Sequence, residues 1–433
     1  MKKLLTSVLA GALALSLTAC SSNSSQVSSK GNGKTISGEL TIMGWGGGDE
    51  LQARKQATKV FEKLYPDVKV HEIWLPADSV DQKLDAALAA GNAADVIMLS
   101  PDWKGLRTKW FEDLNPYLKK DNIDTADFTP GADDGYVDPD GKREGMPTTE
   151  SDFMFAYNKD IFDKAGVPYP TNDWTWDDFK NISEKVSSGS GAKRTYAIVS
   201  HWILQSFASL PYGGTPYNSD WTKQTIDDPK TMKGLELFAD LVKSKALPDD
   251  ASSKSIPMDQ MFVSGKAAMY PLGLFEAGQI AKEVGNNFKW GVVLPPKDPN
   301  GKNTNIKFET GFAMNKASKN KAAAWAYLKT ISMNKEVNDI YAKVGIPALK
   351  ESADTTFSKL TIPNTDIKEA DYLNGLADAT VFPWGGSINK VGDLFGQVWQ
   401  QITTQKGSTK AAVEKYAPQI QAALDEVHQK QSK

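Results

Sequence analysis

Residues 145–186 constrain the fold more than any other stretch, because they hold a buried strand and two capped helices in one run. The apolar residues 153–157 predict a strand buried on both faces, and the polar residues 148–152 are expected at one end of it. Asn158 is placed to cap the next helix, and Thr175 to begin a capping box at the one after. We interpret this stretch as a point where the chain crosses from one part of the fold to another.

The first part of the chain alternates between strand and helix patterns. Strands are predicted at 40–43, 68–74 and 96–99. The helices between them are one at 79–90 and one whose buried face carries Ala53, Ala57, Val60, Phe61 and Leu64. This alternation predicts parallel strands joined by right-handed crossovers in an open sheet. Ligands of such sheets bind beyond the carboxyl ends of the strands, which here are followed by residues 45–49 and 100–103.

Residues 44–48 are predicted to form a glycine-rich turn, and glycine-rich turns are common in phosphate-binding sites. A dinucleotide fingerprint starting at the first of these glycines would need another where Asp49 stands, and no P-loop lysine follows. Two interpretations stay open: a close ligand approach beside Trp45, or an ordinary turn whose acidic residues favour a helix N-terminus. For Asp102 and Trp103, ligand contact competes with a helix cap followed by a core tryptophan.

The rest of the chain repeats this mixture of elements. Further strands are predicted at 195–199, 267–270, 290–294 and 310–314, with helices opening near His201 and Asp228 and one around Trp325. Two strand exits carry aromatic residues: 271–276 has Phe275 beside the acidic Glu276, and 381–386 has Phe382 and Trp384. Trp384 stands in the second of them, and stacking on a ligand competes there with burial against the C-terminal helices.

Length and charge set further limits. A chain of 433 residues is too long for one ordinary core, so two lobes are expected. A net charge of −3 offers no field that would attract nucleic acid or an anionic membrane surface. We therefore expect no nucleic-acid partner.

The N-terminus has the pattern of a targeting segment. Two lysines precede an apolar run at residues 4–17, which is too short to span a bilayer and suits a signal peptide. The sequence Leu17-Thr18-Ala19-Cys20 resembles a bacterial lipobox, which predicts cleavage before Cys20 and lipidation of its thiol. The alternative is a secretory signal followed by a stray cysteine. Because Cys20 is the only cysteine, no structural disulfide is possible, and residues 20–37 are expected to be a flexible tether.

Motifs for metal binding and catalysis are scarce. The three histidines have no partner at ligand spacing and no cysteine beside them, which argues against a zinc site. Residues 138–141 hint at a calcium loop but lack the spaced oxygens of an EF-hand, so a surface turn is favoured. We expect no cofactor and no metal.

Carboxylates near aromatic residues are the one enzyme-like signal. Asp102, Glu150, Asp152, Glu276 and Glu309 could all face an aromatic cleft, and two carboxylates around a sugar form a glycosidase site. The same residues suit sugar binding, because carboxylates accept hydrogen bonds from hydroxyl groups and aromatic rings cover the apolar faces of a pyranose. A secreted glycoside hydrolase and a sugar-binding protein therefore both remain open at this point.

Several stretches together resemble the family 1 extracellular solute-binding proteins, the sugar-capturing subunits of bacterial ABC importers. The main match is GMPTTESDFMFAYNKDIFDKAGVPYPTNDWTWDDF, with support from GNAADVIMLSPDW, DLNPYL, SGKAAMYPLG, TGFAMNKASKNKAAAWAYL and GIPAL. The resemblance covers nearly the whole chain after the signal segment. It implies a binding protein rather than an enzyme, and it therefore favours sugar binding over glycoside hydrolysis.

The resemblance also implies an α/β fold of the periplasmic-binding-protein type with a ligand cleft between two lobes. Lobe 1 would contain residues 38–147 and 306–348, and lobe 2 residues 148–305 and 349–433, after a signal peptide at 1–19. Hinge crossings near Pro147, Asn305 and Gly345 would let the lobes close around a sugar, which we expect to be an oligosaccharide.

By motif position, the resemblance implies a composite ligand site. Its predicted members are Trp45, Asp49, Asp102, Trp103, Glu150, Asp152, Trp202, Tyr212, Phe275, Glu276, Gly311, Phe312 and Trp384. The implied partners are the sugar, the transmembrane permease subunits of the importer and, through the lipid on Cys20, the outer face of the cell membrane. The protein itself is expected to be a monomer.

Overall fold

The computed structural model describes residues 36–100, 108–138, 141–218, 221–363, 365–376, 379–381 and 389–431. Residues Ile36–Lys433 form one compact unit. Four of the predicted functional residues lie outside the described ranges: Cys20, Asp102, Trp103 and Trp384.

The strands of the described residues form one ten-stranded sheet. They are β1 Gly38–Trp45, β2 Val68–Leu75, β3 Val96–Leu99, β4 Met146–Asn158, β5 Tyr196–Ile198, β6 Ala267–Gly273, β7 Trp290–Val293, β8 Ile306–Met314, β9 Ile346–Pro347 and β10 Thr380–Val381. The main order across the sheet is β2-β1-β3-β8-β4-β6-β5, while β10 pairs with β8 and both β7 and β9 pair with β4.

Helices are interspersed with these strands throughout the described residues. They are α1 Gly48–Leu64, α2 Ala77–Ala90, α3 Asn115–Asp121, α4 Lys159–Ala165, α5 Trp176–Val186, α6 Leu204–Phe207, α7 Pro229–Lys243, α8 Asp250–Ser253, α9 Met258–Val263, α10 Leu274–Val284, α11 Lys321–Met333, α12 Lys335–Tyr341, α13 Lys350–Thr355, α14 Leu373–Leu376, α15 Asn389–Thr403 and α16 Thr409–Gln431. The predicted α/β fold class is confirmed.

The parallel start of the sheet is also as predicted. β1 pairs in parallel with β2 on one side and with β3 on the other, and helices α1 and α2 make the connections. β5 and β6 are likewise parallel. In both places the carboxyl ends of the strands lie at one edge, which is where ligands of such sheets bind.

The long strands β4 and β8 run antiparallel and connect different parts of the core. Met146 at the start of β4 and Phe312 near the end of β8 belong to one hydrophobic cluster with α1 and α11. Phe153 in β4 and Ile306 at the start of β8 belong to another, built with α5, α7, α15 and α16. This arrangement suits strands that cross between two lobes, although the lobe boundaries themselves stay a prediction.

The helix ends form as their sequences predict, because capping depends on a few neighbouring residues. The Asn158 side chain accepts from the Ile161 amide, and Gly166 ends α4 in the left-handed conformation. Thr175 and Asp178 form the expected capping box at the start of α5.

Two local predictions were wrong. Leu64 is 52% exposed, because Tyr65 takes its place and packs on Phe61 with the ring centroids 4.9 Å apart. The polar residues 148–152 lie inside β4 and not at its end, because they pair with β8 and β9. β4 therefore carries the acidic side chains of Glu150 and Asp152 in the middle of the sheet.

Candidate binding site

The candidate site lies at the carboxyl ends of β5 and β6. Trp202 follows β5, and Phe275 and Glu276 lie in the first turn of α10, which begins directly after β6. Gly273 joins β6 to α10, and a side chain there would collide with the Phe275 ring, which lies 2.4 Å from the position of a Cβ atom. Glycine at this position thus lets Phe275 fold back against the strand end.

Four aromatic residues meet here, and we call them the aromatic wall: Phe153, Trp202, Phe275 and Phe308. Phe153 is fully buried at the centre, with ring centroids 6.1 Å from Trp202, 6.1 Å from Phe275 and 5.8 Å from Phe308. Trp202 also packs on Phe308 at 5.9 Å and remains 41% exposed. A large indole that is held by buried rings and open to solvent suits contact with an apolar ligand face.

A polar network supports the wall from behind. The Glu276 carboxylate accepts from the Tyr270 hydroxyl at 3.0 Å and from the Gly273 amide at 3.1 Å. It also lies 3.6 Å from His201 Nε2. Burial, together with the charge of Glu276, raises the pKa of Tyr270, so its hydroxyl keeps the proton that it donates.

Glu150 and Asp152 lie on the other face of β4 from the wall. Successive side chains of a strand alternate between faces, so both carboxylates point away from Phe153. Glu150 is 2% exposed and Asp152 is fully buried. Across the strand pair Glu150 faces Glu309 and Asp152 faces Lys307.

These residues form a buried ionic cluster with one cation. The Lys307 ammonium donates to Glu150 Oε1 at 3.2 Å and is ion-paired with Glu309. Asn305 Nδ2 donates to Asp152 Oδ2 at 2.8 Å. Within the described residues, Glu150 Oε2 and Asp152 Oδ1 have no hydrogen-bond partner.

Burial dominates the protonation of these carboxyls. It raises the pKa of Glu150 to about 7, with the charges of Glu309 and Asp134 acting in the same direction and Lys307 opposing them. Burial and the charge of Glu150 raise the pKa of Asp152 well above its usual value. In the described conformation, this cluster has little access to a ligand that lies on the wall.

Tyr212 is engaged by its own neighbours. Its hydroxyl donates to Asp177 at 3.0 Å, and the Lys233 ammonium lies 3.8 Å from the centre of its ring. Burial and Asp177 together raise the pKa of Tyr212. It packs against the same hydrophobic cluster as the wall, and its contact with a ligand stays a prediction.

The other predicted residues lie around β1 and β8. Trp45 is half-buried at the end of β1, and Asp49 is exposed in the first turn of α1. Gly311 is buried, and a Cβ atom at this position would lie 2.4 Å from the Met146 carbonyl oxygen, so a larger residue would collide there. Phe312 is 1% exposed. The geometry gives Gly311 and Phe312 packing roles, and the ligand contacts of all four residues stay predictions.

Sequence reasoning missed Phe308 and underused His201. Strand β8 was expected to begin at 310 and begins at Ile306, so Phe308 was not recognised as a neighbour of Ser151 and Phe153. The signal that was present is the alternation of apolar residues at 306 and 308 with polar ones between. The sequence placed His201 only near the start of a helix. In the structure it is buried, and its ring packs against Trp202.

A cavity of about 570 Å³ lies at the opposite, amino ends of β5 and β6. Its lining includes Arg194, Lys245, Lys266 and Asp249 and none of the predicted site residues. Within the described residues, no group of three or more histidine, cysteine or acidic side chains could hold a metal ion. None of the described helices is both long enough and apolar enough to cross a membrane.

A family model for bacterial extracellular solute-binding proteins matches residues 46–336. This chain belongs to that family. It is 25% identical over 385 residues to a binding protein of Brucella abortus, covering 86% of this chain and 89% of that protein. It is 23% identical over 317 residues to the lactose-binding protein of Rhizobium radiobacter, covering 71% of each.

Solved structures share its fold. The ABC substrate-binding protein of Listeria monocytogenes in complex with cycloalternan matches with a TM-score of 0.79 and 24% identity, covering 89% of this chain and 99% of that one. The fold of our chain is therefore the mixed α/β fold of these binding proteins. The family resemblance seen in the sequence is confirmed.

Proposed function

We propose that this protein is the lipid-anchored sugar receptor of an ABC importer, which captures an oligosaccharide at the aromatic wall and delivers it to a membrane permease. The observation that carries the proposal is Trp202, a 41% exposed indole supported by buried aromatic rings in a protein of the solute-binding family. One similar protein is a lactose-binding protein and another was solved in complex with cycloalternan, which favours a sugar as the captured molecule.

The chemistry of the wall suits a sugar ring. A pyranose has an apolar C–H face that stacks on an indole, and hydroxyl groups at its edge that need hydrogen-bond partners. Phe308 extends the wall from Trp202 toward the strands that join the proposed lobes. A wall with two accessible rings has room for more than one sugar unit, which is why we propose an oligosaccharide.

Capture would proceed by hinge closure. In this account lobe 1 contains residues 38–147 and 306–348, lobe 2 contains 148–305 and 349–433, and the crossing segments of β4, β8 and β9 bend between them. A ligand that contacts both lobes stabilises the closed state by its differential affinity. Trp45 and Asp49 from lobe 1, with Asp102 and Trp103, would complete the site around the sugar, and Trp384 would add a ring from lobe 2.

Binding without turnover is part of the proposal. A glycosidase places two carboxyl groups on either side of one glycosidic bond. Glu150 and Asp152 are buried on the face of β4 that points away from the wall. Incubation with a bound oligosaccharide should therefore release no new reducing ends, and steady turnover that disappears in Glu150→Gln would favour the hydrolase.

A thermal-shift panel tests the function. Lactose, cycloalternan, maltotriose, cellobiose and xylobiose form the sugar arm, and sorbitol and a mixed peptide digest form the other. A true ligand at 100 times its Kd should add about 2.7 kcal/mol of stability, with a clear rise in Tm. Stabilisation by the peptide digest alone, with no response to any sugar, would contradict the proposed sugar class.

The anchor has a separate test. Cys20→Ser should release the protein from the membrane fraction or leave its signal peptide uncleaved. Ser21→Ala, which changes the neighbouring residue and keeps the thiol, is the control. Normal processing and full membrane retention of Cys20→Ser would remove the lipid anchor from the account and leave sugar capture untouched.

A further inference from the structure

We propose that His201 and Glu276 are positioning residues, which hold the Trp202 indole in the orientation on which a sugar ring stacks. This inference rests on the proposed function, because it concerns the same aromatic wall. It assigns Glu276 a role through Trp202, in place of the direct ligand contact that the sequence predicts.

The tautomer of His201 follows from its backbone contact. The Ile203 amide donates to His201 Nδ1 at 3.3 Å, so Nδ1 acts as the acceptor. In a neutral imidazole the proton then lies on Nε2. The side chain of His201 is fully buried, so neither nitrogen is available to a ligand.

That Nε2–H points at the Glu276 carboxylate. The distance from Nε2 to Glu276 Oε1 is 3.6 Å, which is too long for a good hydrogen bond but short for an electrostatic attraction at a buried site. Within the described residues Nε2 has no hydrogen-bond partner. Glu276 is itself fixed by Tyr270 and by the Gly273 amide, so it provides a fixed negative charge for the ring to face.

The His201 ring then supports Trp202 directly. The two ring centroids are 5.3 Å apart and their planes are inclined by 35°. On other sides His201 meets Phe153 at 6.0 Å and Tyr270 at 5.1 Å, both near perpendicular. Because three aromatic rings and one carboxylate surround it, His201 has a single orientation, and a change in that orientation would move the indole.

Whether Glu276 contacts the ligand or positions Trp202 can be decided by experiment. The Glu276 side chain is 21% exposed, so a direct ligand contact and a positioning role are both geometrically available to it. They differ in one respect. A positioning residue has no effect once the indole is gone, whereas a direct contact keeps its effect.

A double-mutant cycle separates the two roles, with the most stabilising sugar of the panel above as the probe. Trp202→Ala should weaken binding roughly thirtyfold, and Glu276→Gln and His201→Phe roughly fivefold each. In the Trp202→Ala background, Glu276→Gln should change affinity by less than about twofold. Glu283→Gln is the matched control on the same helix, since the Glu283 carboxylate accepts from Gln260 and Gln279, and it should leave affinity unchanged.

The orientation of the indole has its own readout, which needs no ligand. With 5-fluorotryptophan incorporated, the ¹⁹F signal missing in Trp202→Ala identifies Trp202. That signal should shift or broaden in Glu276→Gln and His201→Phe, while the Tm of the apo protein stays within a few degrees and Glu283→Gln has no effect.

Two results would overturn the inference alone. One is an equal loss of affinity from Glu276→Gln with and without the indole, which would make Glu276 a ligand contact. The other is a ¹⁹F signal of Trp202 that is unchanged in both variants. Failure of the wild-type protein to bind any sugar of the panel would instead remove the proposed function, and the ¹⁹F result would still decide whether His201 and Glu276 orient the indole.

Discussion

The two faces of β4 carry different chemistry within a few residues of each other. One face presents Phe153 to the aromatic wall, where Trp202 is open to solvent. The other presents Glu150 and Asp152 to a buried cluster with Lys307. Aromatic and acidic residues that are adjacent in the sequence are thus separated by the thickness of one strand.

This difference shows that the residue types of a short stretch do not indicate which side chains share a binding site. A carboxylate beside aromatic residues suggests sugar recognition, but period-two alternation sends neighbours to opposite faces. The wall suits ligand binding, while the ionic cluster suits fixing the crossing of β4 and β8. The predictions below test that assignment through stability on one face and affinity on the other.

The largest effect is expected at Lys307, the cation of the buried cluster. Lys307→Met leaves the carboxylates of Glu150 and Glu309 without their ion pair, which should cost about 3–5 kcal/mol of unfolding free energy at pH 8. Denaturant unfolding measures it. The cost should shrink at pH 5, where Glu150, whose pKa burial raises to about 7, takes up a proton.

Lys329 offers a matched control for that substitution. Its ammonium pairs with Asp121 at 2.6 Å, but the side chain is 37% exposed. Lys329→Met should therefore cost less than about 1 kcal/mol. Equal costs at the two lysines would show that the cluster on β4 and β8 has no special structural role.

A smaller effect on the unfolding free energy, which depends on pH, is expected at Glu150. Its pKa is raised to about 7 in the folded protein, so the native state binds this proton more tightly than the unfolded chain. The resulting stabilisation is present below the unfolded value of 4.5 and is lost as the pH rises through about 7. Two to three pKa units correspond to about 3 kcal/mol.

Glu150→Gln should remove that dependence. Relative to the wild type, the variant should gain unfolding free energy between pH 4.5 and pH 8, by about 3 kcal/mol at most. Glu184→Gln, at an exposed residue of α5, should run parallel to the wild type. A Glu150→Gln curve that also runs parallel would mean that Glu150 titrates as a solvated carboxyl.

The smallest effect on stability and affinity is expected at Tyr212, whose hydroxyl is bonded to Asp177 and whose ring faces Lys233. Tyr212→Phe removes one partly exposed hydrogen bond to Asp177 and should cost about 1 kcal/mol or less of stability. Sugar affinity should change by less than about twofold, since the ring and its contact with Lys233 remain. A loss of affinity above tenfold in calorimetry would return Tyr212 to the ligand site.

Much of the fold could be predicted from the sequence because its signals are local. The capping box at Thr175, the stop at Gly166 and the parallel start of the sheet each depend on short patterns. Leu64 shows the limit of such patterns. Helical periodicity placed it inside, but Tyr65 offered a larger apolar surface to the same core.

The site was less predictable because it depends on contacts between distant residues. Phe308 meets Trp202 and Phe153 only after β8 has returned to pair with β4. The face on which Glu150 lies follows from the continuation of β4 through the polar residues 148–152, which hydrophobicity alone does not indicate. Composition identified the residue types of a sugar site, while pairing decided which of them meet.

One calorimetric experiment tests the account most directly: titration of the wild type, Trp202→Ala and Glu150→Gln with the same sugar at pH 7. The account predicts roughly thirtyfold weaker binding for Trp202→Ala, with the apo Tm kept within a few degrees, and a Kd within about twofold of the wild type for Glu150→Gln. Wild-type affinity in Trp202→Ala together with lost binding in a folded Glu150→Gln would contradict it, because the ligand would then lie on the other face of β4.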